Sequence, residues 1–437
     1  MSQAAEELDQ AGGGPAPLPL RRNSGFRMLW IGQLLSDTGS SAGTIAYPLL
    51  ILALTRSPAI AGVVGTVTAT VQILLGLPGG ALADRLDRRR TMIGCDLIRA
   101  AVLAALGVLV LVHEVNWLVV LAVAIVDRAG SVLFDPAANA ALPGIVADRQ
   151  LEAAWAAIEA RGYAASLAGP ALGGVLFGLG RAIPFLGDAA SYLVSAGSVS
   201  RIRGRFRAER ASERTGLWRE AADGIRLVRR HPLLRAVVIQ APLINFAFTG
   251  VIFTITLALR RDGTPAGAIG LAQAGIMAGG LVGAFIAPRL QGRLRLSQLT
   301  VTLAVSSTVL FAMSALLLPS LFVALPVAIA LLLSPTGNAA LFAALLRAAP
   351  EDMRGRVNST VLLAATALAA LAPLASGLLV EHLSGRFALL FFTVAIGAAA
   401  LLCIFSRGLR TAESQGAGPA GPAGSAAAVT ETAGPDA

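Results

Sequence analysis

The stretch that decides the fold is residues 79–90, GGALADRLDRRR. It ends a nearly charge-free run, residues 59–83, that is long enough to cross a bilayer as a helix. Six charged residues then occur within seven positions, and four of them are arginine. A second apolar run begins directly afterwards, at Thr91. The pattern predicts two membrane helices joined by a short basic turn, and turns of this kind stay on the cytoplasmic side of a membrane.

The composition of the whole chain is that of an all-α membrane protein. Its 437 residues are 55% hydrophobic and only 14% charged, whereas a soluble domain carries about 25% charged residues. Apolar segments of membrane-spanning length predict twelve transmembrane helices, at residues 27–54, 59–83, 91–112, 116–138, 153–179, 183–200, 236–259, 265–287, 297–318, 321–345, 357–380 and 387–406. An even number of spans places both termini on one side, which the basic turn identifies as the cytoplasm.

These segments divide the chain into five parts. Two six-helix halves, residues 25–200 and 236–410, are joined by a basic cytoplasmic linker at 201–235. Apolar residues at helical spacing within 217–230 predict an amphipathic helix in that linker, lying at the inner leaflet. The remaining parts are a polar tail at 1–24 and an Ala/Gly/Pro-rich tail at 411–437, and both are predicted to be disordered.

The net charge of +10 is explained by topology rather than by nucleic acid. Every basic residue is arginine, and most arginines fall in segments predicted to be cytoplasmic, where they contact anionic lipid. We therefore expect a lipid bilayer as a partner and no nucleic acid. The three histidines are isolated, so no metal-ligand spacing exists, and we expect neither a metal nor a cofactor.

The two halves repeat each other in sequence. Leu52-x-Leu54-x-Arg56 recurs as Leu257-x-Leu259-x-Arg261, with the same offset of 205 for the glycine pattern that follows each copy. Further copies begin at residues 83 and 287, 136 and 335, and 170 and 373. Repeats in the same orientation predict two six-helix halves related by an axis along the membrane normal.

The basic turn also resembles the loop 2–3 signature of the major facilitator superfamily, Gly-x-Leu-Ala-Asp-Arg-x-x-Arg-Arg, with Asp87 where the signature usually has a second glycine. The resemblance implies a conformational latch, in which the acid at the inner end of helix 2 meets the N-terminus of helix 11. The residues that carry it here are Gly80, Asp84, Arg85, Arg88 and Arg89.

Other strings resemble exporters within that superfamily. In helix 5, Gly169-Pro170-x-x-Gly173-Gly174 is similar to the signature of the exporter branches. Residues 26–33, 134–137 and 350–357 are similar to the macrolide-efflux and siderophore-exporter subgroup. This resemblance implies a drug:proton antiporter that moves small amphipathic substrates such as drugs, antibiotics or siderophores out of the cell by alternating access. We expect a monomer in the cell membrane.

Charged residues inside the predicted helices are the candidates for proton coupling, because such residues are costly and face a cavity or a partner. They concentrate in the first half. Asp37 and Arg128 both lie near mid-depth, about 14 to 16 Å along their helices. A carboxyl group there is expected to titrate near neutral pH, with Arg128 tuning it and Asp127 as a reserve acid. Asp188 is the next candidate.

Other roles for these charges remain open. Asp37 and Arg128 equally fit a structural ion pair, and Asp96 and Arg99, three residues apart, are predicted to pair along one helix face. Other functions remain open too. An importer of a small metabolite would need more polar binding side chains than helices 7, 8, 10 and 11 provide, and a transport-inactive sensor is compatible with the sequence. A membrane enzyme is disfavoured because no catalytic cluster is present.

Overall fold

The structure is a computed structural model that describes residues 19–83, 86–202, 226–290, 296–348 and 353–405. These residues are almost entirely helical and contain no strand. The long helices are α1 (Ser24–Thr55), α2 (Pro58–Ala83), α3 (Arg88–Leu111), α4 (Trp117–Ala141), α5 (Leu151–Leu179), α6 (Ile183–Arg201), α7 (Pro232–Arg261), α8 (Ala266–Leu290), α9 (Leu296–Leu317), α10 (Ala324–Ala348), α11 (Arg354–Ala367), α12 (Ala372–His382) and α13 (Gly385–Phe405).

The predicted all-α membrane fold is confirmed. Among the described residues, eleven helical segments are both long and apolar enough to cross a membrane. The remaining predicted span is α6, whose 19 residues reach about 28 Å. The predicted tails and most of the predicted linker helix lie outside the described residues, and only 226–230 of that helix is seen, as one helical turn before α7.

The eleventh span differs from its prediction as a single helix over 357–380. It consists of α11 and α12, separated by a short 3₁₀ turn at Ala369–Leu371. The interruption lies directly before Pro373, the second residue of α12. Proline has no N–H group to donate, and its ring collides with the carbonyl four residues earlier, so a continuous α-helix through this point is disfavoured.

Polar caps define where several helices begin. Asn23 accepts a hydrogen bond from the amide of Phe26 at the start of α1. Asp87 accepts one from the amide of Arg90 at 2.8 Å and so caps α3. Its place in the loop signature, where a glycine is usual, is therefore filled by a residue that satisfies an otherwise unpaired amide.

The halves α1–α6 and α7–α13 meet most closely at one end of the bundle, the end where α1 turns into α2, which we call the closed end. There α2 crosses α12, and a Cβ at Gly62 would overlap the carbonyl of Pro373. In the symmetry-related crossing of α5 with α8, a Cβ at Gly174 would overlap the carbonyl of Ala266. The repeat counterpart of Gly174 is Gly377 of α12, where a Cβ would likewise overlap the carbonyl of Pro58, so glycine lets the backbones touch at both crossings.

Toward the opposite end the helices of the two halves separate. Gly76 on α2 and Gly162 on α5 have no heavy atom within 4 Å of the position a Cβ would take. Gly162 also lines a cavity of about 200 Å³ among α1, α3, α4 and α5. The bundle is therefore closed at one end and opens between its halves toward the other, which carries the α2–α3 loop.

Candidate functional site

A cavity of about 310 Å³ lies between the two halves. Its polar lining comes from the first half, with Tyr47 of α1, Arg99 of α3, and Asp127 and Arg128 of α4. The second half contributes two apolar residues, Phe253 of α7 and Pro373 of α12, which face this lining together with apolar residues of α1 and α2. One side of the cavity can hold charge or hydrogen bonds while the other contacts apolar surface.

Arg99 and Asp127 form the ion pair at the centre of this lining. Nε of Arg99 donates to Oδ1 of Asp127 at 2.8 Å, and the two side chains are only 6% and 15% exposed. Tyr192 of α6 donates to the same carboxylate oxygen at 3.3 Å. The Arg99 guanidinium also lies over the Tyr192 ring, 4.0 Å from its centroid, a favourable cation–π arrangement.

Serine and glycine neighbours hold Arg99 in this place. Its guanidinium donates to Oγ of Ser40 at 3.3 Å, and Ser40 shares a 2.7 Å hydrogen bond with Tyr192. A Cβ at Gly130 would lie 2.7 Å from the aliphatic carbons of Arg99, too close for a real contact. The glycine that follows two residues after Arg128 thus provides the space through which Arg99 reaches Asp127.

Asp37 pairs with Arg161 rather than with Arg128. Nε of Arg161, on α5, donates to Oδ2 of Asp37 at 2.8 Å, and a second nitrogen of Arg161 donates to Oε1 of Gln33. The Asp37 side chain remains 37% exposed to the space between the helices, whereas Arg161 is 10% exposed. The predicted partnership of Asp37 with Arg128 is wrong, because α5 lies closer to this face of α1 than α4 does.

The predicted pairing of Asp96 with Arg99 is also wrong. Both carboxylate oxygens of Asp96 are buried and have no hydrogen-bond partner among the described residues. Arg99 points instead toward α1, α4 and α6, where Ser40, Asp127 and Tyr192 receive it. Spacing on a helix face permitted the Asp96–Arg99 pair but did not decide it, since Arg99 had a better-placed acid on the neighbouring helix.

The remaining coupling candidates occupy two different surroundings. Arg128 lines the central cavity and makes no ion pair within 4 Å in the part of the chain that the structure describes. Asp188 is buried at 5% exposure, and its Oδ1 accepts a hydrogen bond from Ser191 at 3.1 Å. It faces Gly39 of α1, where a Cβ would overlap its carboxylate.

The helix 5 signature lies at a double contact. A Cβ at Gly173 would overlap the carbonyl of Ala42 on α1, and one at Gly169 would overlap Ser41. On the other face of α5, Gly174 and the carbonyl of Pro170 touch α8 of the second half, with the Pro170 oxygen 2.5 Å from a Cβ placed at Gly270. The signature therefore packs α5 against both halves at once.

The loop 2–3 candidates are described only in part. Asp84 and Arg85 lie outside the described residues, and Gly80 belongs to α2. Arg88 donates to the carbonyl of Ala140 at the end of α4, at 2.8 Å. Arg89 donates to the carbonyl of Ser200 at the end of α6. Both arginines tie the start of α3 to other helices of the first half.

Sequence reasoning missed several members of this polar network. Tyr47, Tyr192, Ser40, Gln33 and Arg161 were not selected. The four-residue spacing of Gln33 and Asp37, which places both on one helix face, is the sequence signal that could have revealed their shared partner. Within the described residues no group of three or more His, Cys, Asp or Glu could hold a metal ion.

Comparison with known proteins identifies the family. Residues 15–435 match the family described as transmembrane secretion effector. The multidrug efflux pump Tap of Mycolicibacterium fortuitum is 27% identical over 309 residues, which cover 65% of this chain and 72% of that protein. The macrolide efflux protein A of Streptococcus pyogenes is 25% identical over 275 residues, 60% of this chain and 65% of that protein. The chain thus spans about two thirds of the length of these relatives.

Solved structures show the same fold at low sequence identity. A bacterial homologue of the iron transporter ferroportin, in an inward-facing state, has a TM-score of 0.69 at 18% identity and covers 89% of this chain and 99% of its own. The nucleoside transporter NupG has a TM-score of 0.68 at 13% identity and covers 87% of this chain and 98% of its own. Because the family match spans nearly the whole chain, the protein belongs to the transmembrane secretion effector family within the major facilitator superfamily, and it is a multi-pass membrane transporter rather than an enzyme.

Proposed function

We propose that the protein exports small amphipathic molecules from the cytoplasm or inner leaflet, driven by the entry of protons. The observation that carries the proposal is the central cavity, in which arginine and carboxylate side chains of the first half share the lining with apolar residues of both halves, among them Phe253 and Pro373. A cavity with both charged and apolar lining suits a substrate that has both a charged part and an apolar part. Two relatives are a multidrug efflux pump and a macrolide efflux protein, which supports export rather than import.

Orientation follows from the arginines. The open end carries the α2–α3 loop, whose charge keeps it in the cytoplasm. The conformation described above is then inward-open, with the closed end facing outside and both termini in the cytoplasm. Reporter fusions after Arg90, within 201–235 and after Arg407 all give a cytoplasmic signal under this proposal. An extracellular signal from the fusion within 201–235 would overturn it.

Asp37 is the first candidate for the coupling group. It lies deep in α1, it remains exposed to the space between the helices, and its partner Arg161 is held in place by Gln33. Protonation of Asp37 would remove the charge that holds Arg161 and so loosen the α1–α5 contact. Asp127 and Asp188 are the reserve acids, and Arg128, which faces the cavity, adjusts the local charge.

The alternating-access step uses the two glycine crossings at the closed end. In the inward-open form α2 packs on α12 and α5 packs on α8. Export requires these crossings to separate while the open end closes. The loop 2–3 residues, with Asp84 against the N-terminus of α11, would then latch the opposite end in the outward-open form, as a helix N-terminus attracts negative charge. One copy of the chain contains both halves, so a monomer suffices.

Transport by purified protein in vesicles tests the proposal. We expect an imposed proton gradient to drive uphill movement of macrolides or cationic dyes, and dissipating the gradient to stop it. Movement of the substrate in the same direction as the protons would indicate an importer. Substrate binding without any movement, whether or not a proton gradient is present, would indicate a sensor. Each of these two results would overturn the proposal.

A further inference from the structure

Asp96 on α3 is a carboxylate that the proposed transport cycle leaves unused. It is fully buried, at 0% exposure, and neither oxygen has a hydrogen-bond partner among the described residues. The hydroxyl of Ser195 on α6 lies beside it and is buried as well. An ionised carboxylate in such a place is strongly disfavoured, because burial removes it from bulk water and neither ion pair of the described residues includes it.

Arg99 is the cation that Asp96 lacks. It lies three residues further along the same helix, so the two side chains project from neighbouring positions on one face. In the present conformation Arg99 is committed to Asp127, Ser40 and the Tyr192 ring. Two acids therefore share one arginine. The other ionisable groups near Asp96 are Cys95 on its own helix, Asp135 on α4 and Asp37 on α1.

We propose that Asp96 is a second proton-binding residue, neutral in the inward-open form, and that Arg99 exchanges between Asp127 and Asp96 as the proton moves. In one state Asp127 is the neutral acid and Asp96 is an anion paired with Arg99. In the other, the state described here, the proton has passed to Asp96, and Asp127 is the anion paired with Arg99. One O–H bond breaks on Asp127 and one forms on Asp96, so protons and charge balance without a co-reactant.

The positions of the two acids give the transfer a direction. Asp127 lies fourteen residues from the open-end terminus of α4, about 21 Å, and Asp96 lies eight residues from the open-end terminus of α3, about 12 Å. Handing the proton from Asp127 to Asp96 moves it toward the open end. Under the proposed orientation, this is the direction in which protons enter the cell. The transfer between the two acids rests on the proposed proton coupling, whereas the neutral state of Asp96 does not depend on it.

Infrared spectroscopy of the purified protein reports that neutral state directly, because a neutral carboxyl group has a C=O stretch that a carboxylate lacks. We expect the wild-type protein at neutral pH to show such a band and Asp96→Asn to lose the component that belongs to Asp96, leaving any contribution from Asp37 or Asp188. Asp148→Asn, which removes an exposed acid after α4, serves as the matched control and keeps the band. Persistence of the full band in Asp96→Asn, or its absence from the wild type, would overturn the proposal.

Two further variants keep the test decisive. Ser195→Ala retains Asp96 but changes its surroundings, so the band shifts in frequency if it arises from Asp96. Should Asp96→Asn fail to fold, an unshifted band in Ser195→Ala counts against the proposal. Asp127→Asn frees Arg99, which we expect to pair with Asp96 and remove the Asp96 component of the band. A band unchanged in Asp127→Asn overturns the exchange of Arg99. All these readouts are independent of transport, so they stand or fall separately from proton-driven export.

Discussion

Glu381 of α12 accepts a hydrogen bond from the backbone amide of Ala59 of α2 at 2.8 Å, so a carboxylate of one half caps a helix of the other. Ser57, in the α1–α2 turn, donates its hydroxyl to the same carboxylate oxygen. The first amides of a helix have no partner within it, and negative charge at this end is favourable. The closed end is thus held by a polar contact as well as by the glycine crossings.

Glu381→Gln is expected to weaken the closed end. The amide keeps an acceptor oxygen but loses the charge. Hydrogen bonds to charged groups contribute about 1.5–3 kcal/mol and those to neutral groups about 0.5–1.5 kcal/mol, so a loss of about 1 kcal/mol and a roughly fivefold shift toward the outward-open form are expected. Spin labels at Arg181→Cys and Asp262→Cys report this, since both turns are exposed and both native cysteines are buried. Glu114→Gln, at an exposed acid of the same end, is the control. Identical distance distributions in all three proteins would contradict the expectation.

Gly174→Ala is expected to force the α5–α8 crossing apart. The added methyl group would overlap the carbonyl of Ala266, a backbone atom that cannot move aside independently. Gly178→Ala, one turn further along α5, is the matched control because no heavy atom lies within 4 Å of its Cβ position. The same spin-label pair should separate in Gly174→Ala and keep its wild-type distance in Gly178→Ala. If the distance between the spin labels stays at its wild-type value in both variants, the α5–α8 crossing accommodates the added methyl group, which contradicts the expectation.

The architecture was readable from the sequence because it follows from long-range patterns. Charge-free runs of membrane length, arginine-rich turns and a repeat between the halves each constrain many residues together. The break between α11 and α12 was missed although Pro373 was visible, because proline is tolerated in membrane helices when neighbours satisfy the freed carbonyls. Whether the helix bends or breaks there depends on the packing of α2 against α12, which a single sequence does not contain.

The candidate site was readable only in outline. Depth along a helix selected Asp37 and Arg128 as residues of the bundle interior, with Asp127 as the reserve acid beside them, and Asp127 and Arg128 do line the cavity. Pairing was decided by which helix lies beside which. Arg161 reaches Asp37 because α5 packs on α1, and Arg99 reaches Asp127 through the space left by Gly130. Such choices depend on helix rotation, which periodicity leaves undetermined when both sides of a helix are apolar.

Gly130→Ala is expected to displace Arg99 and destabilise the first half. The new methyl group would lie 2.7 Å from two carbons of Arg99, whose guanidinium is fixed by Asp127 and Ser40. Overpacking of this kind costs about 1–3 kcal/mol and should lower the melting temperature of the detergent-solubilised protein. Gly94→Ala, on α3, meets no atom within 4 Å and should melt as the wild type does. Equal melting of the two variants would mean that Arg99 relocates freely.

Asp84→Asn tests the proposed latch of the outward-open form. Removing one charge from a helix N-terminus weakens the contact by about 0.3–1 kcal/mol, so we expect up to a fivefold gain of the inward-open form. Asp87→Asn is the matched control, since it removes the same charge three residues away while asparagine still caps α3. Labelling of a cysteine at Gly162, beside the cavity near the open end, measures the population. Equal labelling in Asp84→Asn and Asp87→Asn would remove Asp84 from the latch.

Asp37→Asn separates a coupling role from a structural one. If Asp37 carries the proton, the variant folds and binds substrate but no longer concentrates it, because asparagine cannot be charged and discharged during the cycle. If the carboxylate only holds α1 to α5, its loss leaves Arg161 with Gln33 alone, and an unpaired buried charge costs about 3–5 kcal/mol. Folding and binding would then fail together. Size-exclusion profile, substrate binding and uphill transport, measured on one preparation, distinguish these results. A folded variant that still exports against a gradient would transfer the coupling role to Asp127 or Asp188.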